Sequence, residues 1–231
     1  MTLQKRSIAL AISMATLAAS TSQAQVASSS SDASILASGR MAKLDIAGIR
    51  LGMTPREAED SLQQSGYKID NRVTGSSYQQ RVQIALRDRV PATPYVSSSS
   101  QQTPAYWSAY GPNREFLTVS FAPMPGGPRV KEVGVTFNME NTTIDTVTRQ
   151  VAEKFGPSSK ERRYDYSRFW CGQGDQTCGE IVGYTSPFLS YGYMFGNGKL
   201  RLTAEEPIGN WIKNSVSNEV DRRAPKGRSA F

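Results

Sequence analysis

The chain has no histidine and only two cysteines among its 231 residues. The missing histidine excludes Ser-His and Cys-His nucleophilic catalysis, histidine-ligated zinc and a histidine pH switch. No glycine-rich phosphate-binding loop stands between a strand and a helix, and no zinc-finger or RNA-binding motif occurs. We therefore expect no metal, no cofactor and no nucleic-acid partner, and a non-catalytic protein is the first hypothesis.

Long apolar runs are also absent after the N-terminal segment. In that segment Lys5 and Arg6, the apolar stretch Ile8–Ala19 and the small-x-small site Ser22–Ala24 form the pattern of a secretory signal peptide at residues 1–24. The apolar stretch is too short for a stable bilayer anchor, although an uncleaved anchor is the alternative. We expect cleavage near Ala24 and a periplasmic or secreted mature chain without a transmembrane segment.

The two cysteines, Cys171 and Cys178, enclose a short polar loop. An even cysteine count in an exported protein predicts a disulfide. Loop-closure entropy gives a ring of this size about 2–3 kcal/mol of stabilisation. A redox pair is the alternative, but the spacing is not C-x-x-C and no thioredoxin-like pattern surrounds it. The sequence therefore predicts a structural disulfide.

The formal net charge is +7, and the positive residues are scattered except for a mild cluster at residues 222–228. A basic balance can indicate nucleic acid or an anionic surface as a partner. A solvated basic surface is the simpler interpretation. Adhesion to an anionic envelope polymer is a further hypothesis, and salt would weaken such binding.

Two segments have the pattern of capped amphipathic helices. The first begins with the capping box Thr54–Glu57 and ends at Gly66, and the second spans Thr143–Phe155 and ends at Gly156. Residues 77–89 fit both a strand and a helix, and their strong helix formers favour a helix.

Antiparallel strands are predicted after each helix. Apolar residues alternate over residues 117–121 and 133–137, on either side of a Pro/Gly-rich turn. Asn197–Gly198 is a strong two-residue turn signal for the last hairpin. A register built on that turn pairs Phe195 with Leu200, Tyr193 with Leu202 and Tyr191 with Ala204.

Helix and strands thus follow one another twice. We predict an α+β fold of two tandem two-layer units, each a helix or helix pair packed on an antiparallel sheet. The first unit is expected at residues 44–138 with a loop insertion at 90–113, and the second at 139–214 with the disulfide loop. A disordered leader at 25–43 and a flexible basic tail at 215–231 complete the chain. The pattern is compatible with one shared sheet or with two.

The segment Gly48–Ala58, GIRLGMTPREA, resembles the G-x-x-x-GMT-x-x-E-(V/A) motif of the small outer-membrane-assembly lipoproteins (BamE-like) and of many exported proteins of unknown function. The tandem helix-plus-sheet plan is similar to the β-lactamase-inhibitor-protein fold. This chain differs from the lipoproteins because it lacks the lipidation cysteine and has a second unit. The resemblance implies a non-catalytic exported binding or assembly-accessory protein with a protein partner in the cell envelope.

Aromatic residues are the candidate partner-binding residues. Tyr106, Trp107 and Tyr110 lie in the predicted loop insertion, and Trp170 adjoins the disulfide loop. Tyrosine and tryptophan are favoured anchors at interfaces. The alternative is that they cap the edges of the sheet or fill the core.

Carboxylate-only catalysis is the second functional hypothesis. Glycosidases work with two carboxyl groups and need no histidine. Glu132, Asp175 and Glu180 are candidates by location for a hydrolase that acts on cell-envelope glycan. The alternative interpretation is that they are solvated surface acids.

Overall fold

The structure is a computed structural model that describes residues 41–91, 93–94, 102–139, 143–162, 167–172, 175–180, 183–194 and 196–225. The predicted signal peptide at 1–24 and the predicted leader up to residue 40 lie outside these ranges. Among the described residues, no helix is both long and apolar enough to cross a membrane.

The described residues form four α-helices and eight strands, after a short 3-10 turn at Met41–Lys43. The helices are α1 (Pro55–Gln64), α2 (Tyr78–Arg89), α3 (Ile144–Phe155) and α4 (Glu205–Arg223). The strands are β1 (Lys68–Ser76), β2 (Gln102–Tyr110), β3 (Phe116–Met124), β4 (Gly127–Asn138), β5 (Lys160–Arg162), β6 (Ser167–Cys171), β7 (Phe188–Met194) and β8 (Asn197–Thr203).

All eight strands belong to one antiparallel sheet with the order β1-β2-β3-β4-β8-β7-β6-β5. Each half is a meander of four strands that follows a helix, and the two halves join where their last strands, β4 and β8, pair. The α+β fold of helices packed on an antiparallel sheet is therefore confirmed. The two units share one continuous sheet.

One face of the sheet is apolar along its whole central part, and we call it the buried face. Cross-strand pairing places Leu117 beside Val135 and Val135 beside Leu200. The neighbouring row carries Val133 and Leu202, which are also buried. Because side chains alternate along a strand, these rows put every second residue of the central strands into the core.

Helices α1 and α3 cover the buried face. Leu62 of α1 and Val151 of α3 both lie in the main core cluster. Phe155, at the end of α3, meets Trp170 of β6 edge to face with 6.4 Å between the ring centroids. Trp170 also donates its indole N–H to the carbonyl oxygen of Gly156 at 2.7 Å. Each predicted amphipathic helix therefore lies with its apolar stripe on the sheet.

The predicted helix caps are present. Thr54 Oγ1 accepts the Glu57 N–H at 3.2 Å, and Glu57 Oε2 accepts the Thr54 N–H at 2.7 Å. Hydrogen bonding to the charged form lowers the pKa of Glu57, with the Thr54 backbone as the largest cause. Ser77 caps α2, so residues 78–89 form the helix that their composition favours.

The predicted loop insertion at 90–113 is wrong for its second part, because Gln102–Tyr110 is strand β2. Pro104 argues against a strand in the sequence, since proline cannot donate to a ladder. In the structure the pairing of β2 with β3 begins at Tyr106 and Ser120, so Pro104 lies outside it. On the other side of β2, Pro104 is opposite Thr74 of β1, next to a register shift between Val73 and Thr74. The missing donor therefore disturbs no interior ladder.

The predicted flexible tail from residue 215 is also wrong over most of its length, because α4 continues to Arg223. Apolar residues at intervals of four, namely Ile208, Ile212, Val216 and Val220, hold α4 against the rest of the protein. Met41, in the predicted leader, is buried as well. The ordered chain thus extends past both predicted limits of the two units.

The last hairpin has a different register from the predicted one. Tyr191 pairs with Leu200 and Met194 with Asn197, so the chain reverses between Met194 and Asn197, with Gly196 at φ 79°. A Cβ on Gly198 would lie 2.5 Å from the Phe137 ring. This glycine therefore allows the close approach of β4 rather than the turn.

We predict that Leu62→Ala lowers the free energy of unfolding by about 1–4 kcal/mol, because it leaves a cavity under a fully buried side chain. Chemical denaturation with urea measures the loss. Gln63→Ala, at an exposed position of the same helix, is the matched control and should change the stability little. Equal stabilities of the two variants would contradict the burial of Leu62.

Candidate functional site on the open face of the sheet

The sheet face opposite α1 and α3 is polar and partly uncovered, and we call it the open face. One cross-strand row on this face carries Thr118, Gly134, Arg201, Ser190 and Phe169. The next row carries Phe116, Thr136, Lys199 and Gly192. Most of these residues are half-buried or exposed. The two faces of the sheet thus differ as alternation of apolar and polar residues requires.

Helix α4 covers only part of the open face. It begins directly after β8 and contacts β3 and β4. Helix α2 then packs against α4, with Tyr78, Val82 and Leu86 around Val220. The half of the open face formed by β6, β7 and β8 is left without a covering helix among the described elements.

A network of ion pairs joins the centre of the open face to the start of α4. Glu132 accepts hydrogen bonds from Arg201 and, at 2.9 Å, from Thr203 Oγ1. Glu205 Oε1 lies 2.9 Å from Lys131 Nζ, and Glu205 Oε2 lies 3.3 Å from Arg201 Nη2. The hydrogen bond from Lys131 lowers the pKa of Glu205, although partial burial opposes it. These charged groups therefore hold one another in place.

A pocket of about 600 Å³ lies on the half of the open face that α4 leaves uncovered. Its walls include Arg162, Phe169, Tyr184, Phe188 and Arg201. Glu206 fastens one wall to α4, because its carboxylate accepts the Gly183 N–H at 2.7 Å and its N–H donates to Tyr184 Oη at 3.0 Å. The volume is in the range of small-molecule sites.

The predicted disulfide between Cys171 and Cys178 is present. Both cysteines belong to a small apolar cluster with Phe169, Tyr184 and Phe188. Three of these five residues are carried by β6 and β7 on the open face. The disulfide therefore stabilises the wall of the pocket.

The three candidate catalytic carboxylates each have a structural partner and do not converge on one site. Glu132 is paired with Arg201, and Glu180 with Lys160 at 3.1 Å. Asp175 accepts hydrogen bonds from Ser186 and Thr177, which together lower its pKa even though partial burial opposes this. Within the described ranges, no group of three or more acidic or cysteine side chains could hold a metal ion.

Two of the four candidate partner-binding aromatics lie in the core. Trp107 is 3% exposed and Trp170 is fully buried, so no partner can reach them. Trp107 packs edge to face on Phe121, with 4.7 Å between centroids, and the Arg72 guanidinium covers its other side at 4.7 Å. Core filling, the alternative for these residues, therefore explains both tryptophans.

The other two aromatics, Tyr106 and Tyr110, lie on the open face of β2, because they alternate with the buried Trp107. Tyr110 is 50% exposed and packs on Phe116 at 5.4 Å between centroids. Val73, which pairs with Tyr106, is 44% exposed. We call Val73, Tyr106, Tyr110 and Phe116 the aromatic patch. Sequence reasoning missed Val73 and Phe116, because their exposure depends on the β1–β2–β3 pairing.

No protein-family model, curated protein or solved structure matches this chain. The likeness to BamE-like lipoproteins and to the β-lactamase-inhibitor-protein fold therefore stays a prediction. The geometry of the open face is the basis for the function proposed below.

We predict that reduction of the disulfide lowers the free energy of unfolding by about 2–3 kcal/mol, because the open ring releases entropy in the unfolded chain. Denaturation with and without reductant measures the difference. The double variant Cys171→Ser/Cys178→Ser is the control, and it should match the reduced protein and no longer respond to reductant. An unchanged stability after complete reduction would contradict the stabilising role.

We predict that Asp175→Asn destabilises the protein at pH 7 and does so less at pH 3. The folded-state pKa of Asp175 is below its ordinary value of 3.8. Its stabilisation is therefore complete above the unfolded pKa and is lost as the pH falls through the folded pKa. Thermal unfolding at both pH values measures the effect. Asp60→Asn, at an exposed position of α1, is the control and should leave the Tm unchanged at both.

Proposed function

We propose that this protein is an exported, non-catalytic binding protein that holds a protein partner of the cell envelope on the open face of its sheet. The observation that carries the proposal is the aromatic patch, which stays exposed on β1 and β2 of the open face. Tyr106 of the patch shares a cross-strand row with Glu132, which is paired with Arg201. An envelope assembly-accessory role is included in this proposal.

The aromatic patch has the chemistry of an interface anchor. Tyr110 exposes half of its surface, and Val73 almost half, at neighbouring strands of the same sheet. Tyrosine offers a large contact area with few rotatable bonds and a hydroxyl group that can hydrogen-bond. Several exposed apolar side chains on one sheet face support a binding surface better than single ones do.

The ion-pair network supports selective binding rather than catalysis. Arg201 is held by Glu132 and Glu205, so its orientation is set before a partner arrives. Arranged charges of this kind discriminate between partners and fix their register.

Export is supported by two observations. The N-terminal sequence has the pattern of a signal peptide. The disulfide between Cys171 and Cys178 is compatible with an oxidising compartment such as the periplasm. Both features agree with a partner in the cell envelope.

A hydrolase acting on cell-envelope glycan is the second candidate, because Glu180, Glu205 and Glu206 line the 600 Å³ pocket. A glycosidase needs one carboxylic acid with a raised pKa as its proton donor. The pKa of Glu205 is instead lowered, and Glu180 is paired with Lys160. These contacts favour the binding protein over the hydrolase.

Capture from an envelope extract tests the proposal. We expect the wild-type protein to retain one stoichiometric partner at moderate salt. The variant Tyr106→Ser/Tyr110→Ser should bind that partner at least about tenfold more weakly, since truncation of an interface anchor costs 1–2 kcal/mol or more. Gln63→Ala, on the helix that covers the other face, is the control and should bind like the wild type.

The other outcomes contradict the proposal in distinct ways. A partner retained equally by the tyrosine variant would exclude the aromatic patch as the binding surface. Binding lost at moderate salt, with no preferred partner, would indicate adhesion to an anionic polymer. Glycan turnover by the wild type that is lost in Glu180→Gln would support the hydrolase.

A further inference from the structure

A second concave site lies away from the aromatic patch, between α2, α4 and the end of β3. Its volume is about 550 Å³, which is within the range of sites for small molecules. The floor consists of Phe121, Ala122, Ile208 and Ile212, all buried, and Ile84 forms a wall with 51% of its surface exposed. We call this site the helix groove.

The mouth of the helix groove is cationic. Four cations and two carboxylates line the groove, and Lys131 and Arg89 already have partners in Glu205 and Asp221. Arg81 and Lys213 are both exposed, and no ion pair within the described part of the chain occupies either of them. Asp88 also lines the groove and is exposed, so Arg81, Lys213 and Asp88 together leave a net charge of +1 at the mouth. An apolar floor under this net positive charge is complementary to an apolar ligand with one anionic end.

Helix stability does not explain why residue 209, in the wall of the groove, is a glycine. It lies in the interior of α4, where glycine costs about 1 kcal/mol relative to alanine. Its φ is not in the left-handed region, and a Cβ added to it would meet nothing within 4 Å. Neither backbone strain nor close packing therefore calls for glycine here. Its effect is to leave the wall of the groove open.

We propose that the helix groove binds a long-chain fatty acid, with the alkyl chain on the apolar floor and the carboxylate at Arg81 and Lys213. Burial of alkyl carbons in such a site is favourable by the hydrophobic effect. The two cations neutralise the carboxylate at the mouth, where it is still partly solvated. The helix groove is a site separate from the open-face surface of the proposed function.

Two other occupants fit the charges less well. A second copy of this chain would bring the same cationic mouths together, which is repulsive. The first 40 residues of the chain contain three cations, Lys5, Arg6 and Arg40, and one acid, Asp32, so they are not complementary to the mouth either. A groove of this volume can hold one alkyl chain, whereas the surface of a bilayer would need a flatter and larger area.

Displacement of a fluorescent dansyl fatty acid by oleate tests the proposal with the full-length protein. We expect Gly209→Leu to weaken oleate binding at least about tenfold, because the new side chain takes the place of alkyl carbons. Gly209→Ala is the matched control and should bind almost like the wild type. Neither variant should lower the Tm, since a Cβ at this position meets open space and both residues favour a helix more than glycine does.

A second variant, Arg81→Ser/Lys213→Ser, tests the contact with the carboxylate of the fatty acid. Both positions are exposed, so the substitutions should not impair folding. It should weaken oleate binding and leave oleyl alcohol binding unchanged. The proposal is overturned if the wild type does not bind oleate, or if Gly209→Leu binds it unchanged. It is also overturned if oleyl alcohol binds as tightly as oleate, or if only phosphatidylglycerol vesicles bind. A dimer in light scattering that Gly209→Leu dissociates would show that a second copy occupies the groove.

Discussion

The pairing of β4 with β8 is the interaction on which the rest of the structure depends. Residues 132–138 pair with residues 197–203 and turn two separate meanders into one sheet. The pairing aligns Val133 with Leu202 and Val135 with Leu200, so the apolar faces of both halves coincide. A shift by one residue would move these side chains to opposite faces. Because they coincide, α1 and α3 share one core.

The same pairing creates the open face. Since the apolar residues of β4 and β8 point to the helices α1 and α3, Glu132, Arg201 and Thr203 are brought together on the other side. Their contacts anchor the start of α4 through Glu205. From there α4 crosses β3 and β4 and packs on α2, and no described helix covers the second half of the face. The pocket of about 600 Å³ on β6, β7 and β8 is a consequence of this incomplete cover.

Local patterns predicted local structure well. The capping box at Thr54, the cap at Thr143 and the stop at Gly66 are all present, because each depends on residues within one turn of the chain. The disulfide between Cys171 and Cys178 was predictable for the same reason. Of the four predicted partner-binding aromatics, only the half-buried Tyr106 and the exposed Tyr110 of β2 remain at the surface.

Predictions failed where a distant segment decides the outcome. Asn197–Gly198 has a turn sequence, but β4 takes both residues into the sheet and Phe137 fills the space beside Gly198. Pro104 makes the sequence of β2 resemble a loop, and that proline is tolerated in the strand because β3 does not pair with it. Trp107 is buried because β1, β3 and Arg72 surround it.

The sequence by itself thus determined the positions of α1 and α3, the disulfide and the alternation that gives each strand one apolar face. These features follow from residues that are near one another along the chain, where spacing alone sets geometry. Only the tertiary structure decided that the two units share one sheet, which aromatics are exposed and where the two concave sites lie. Those outcomes depend on contacts between residues far apart in sequence, whose choice of partner is made by the packing of the whole chain.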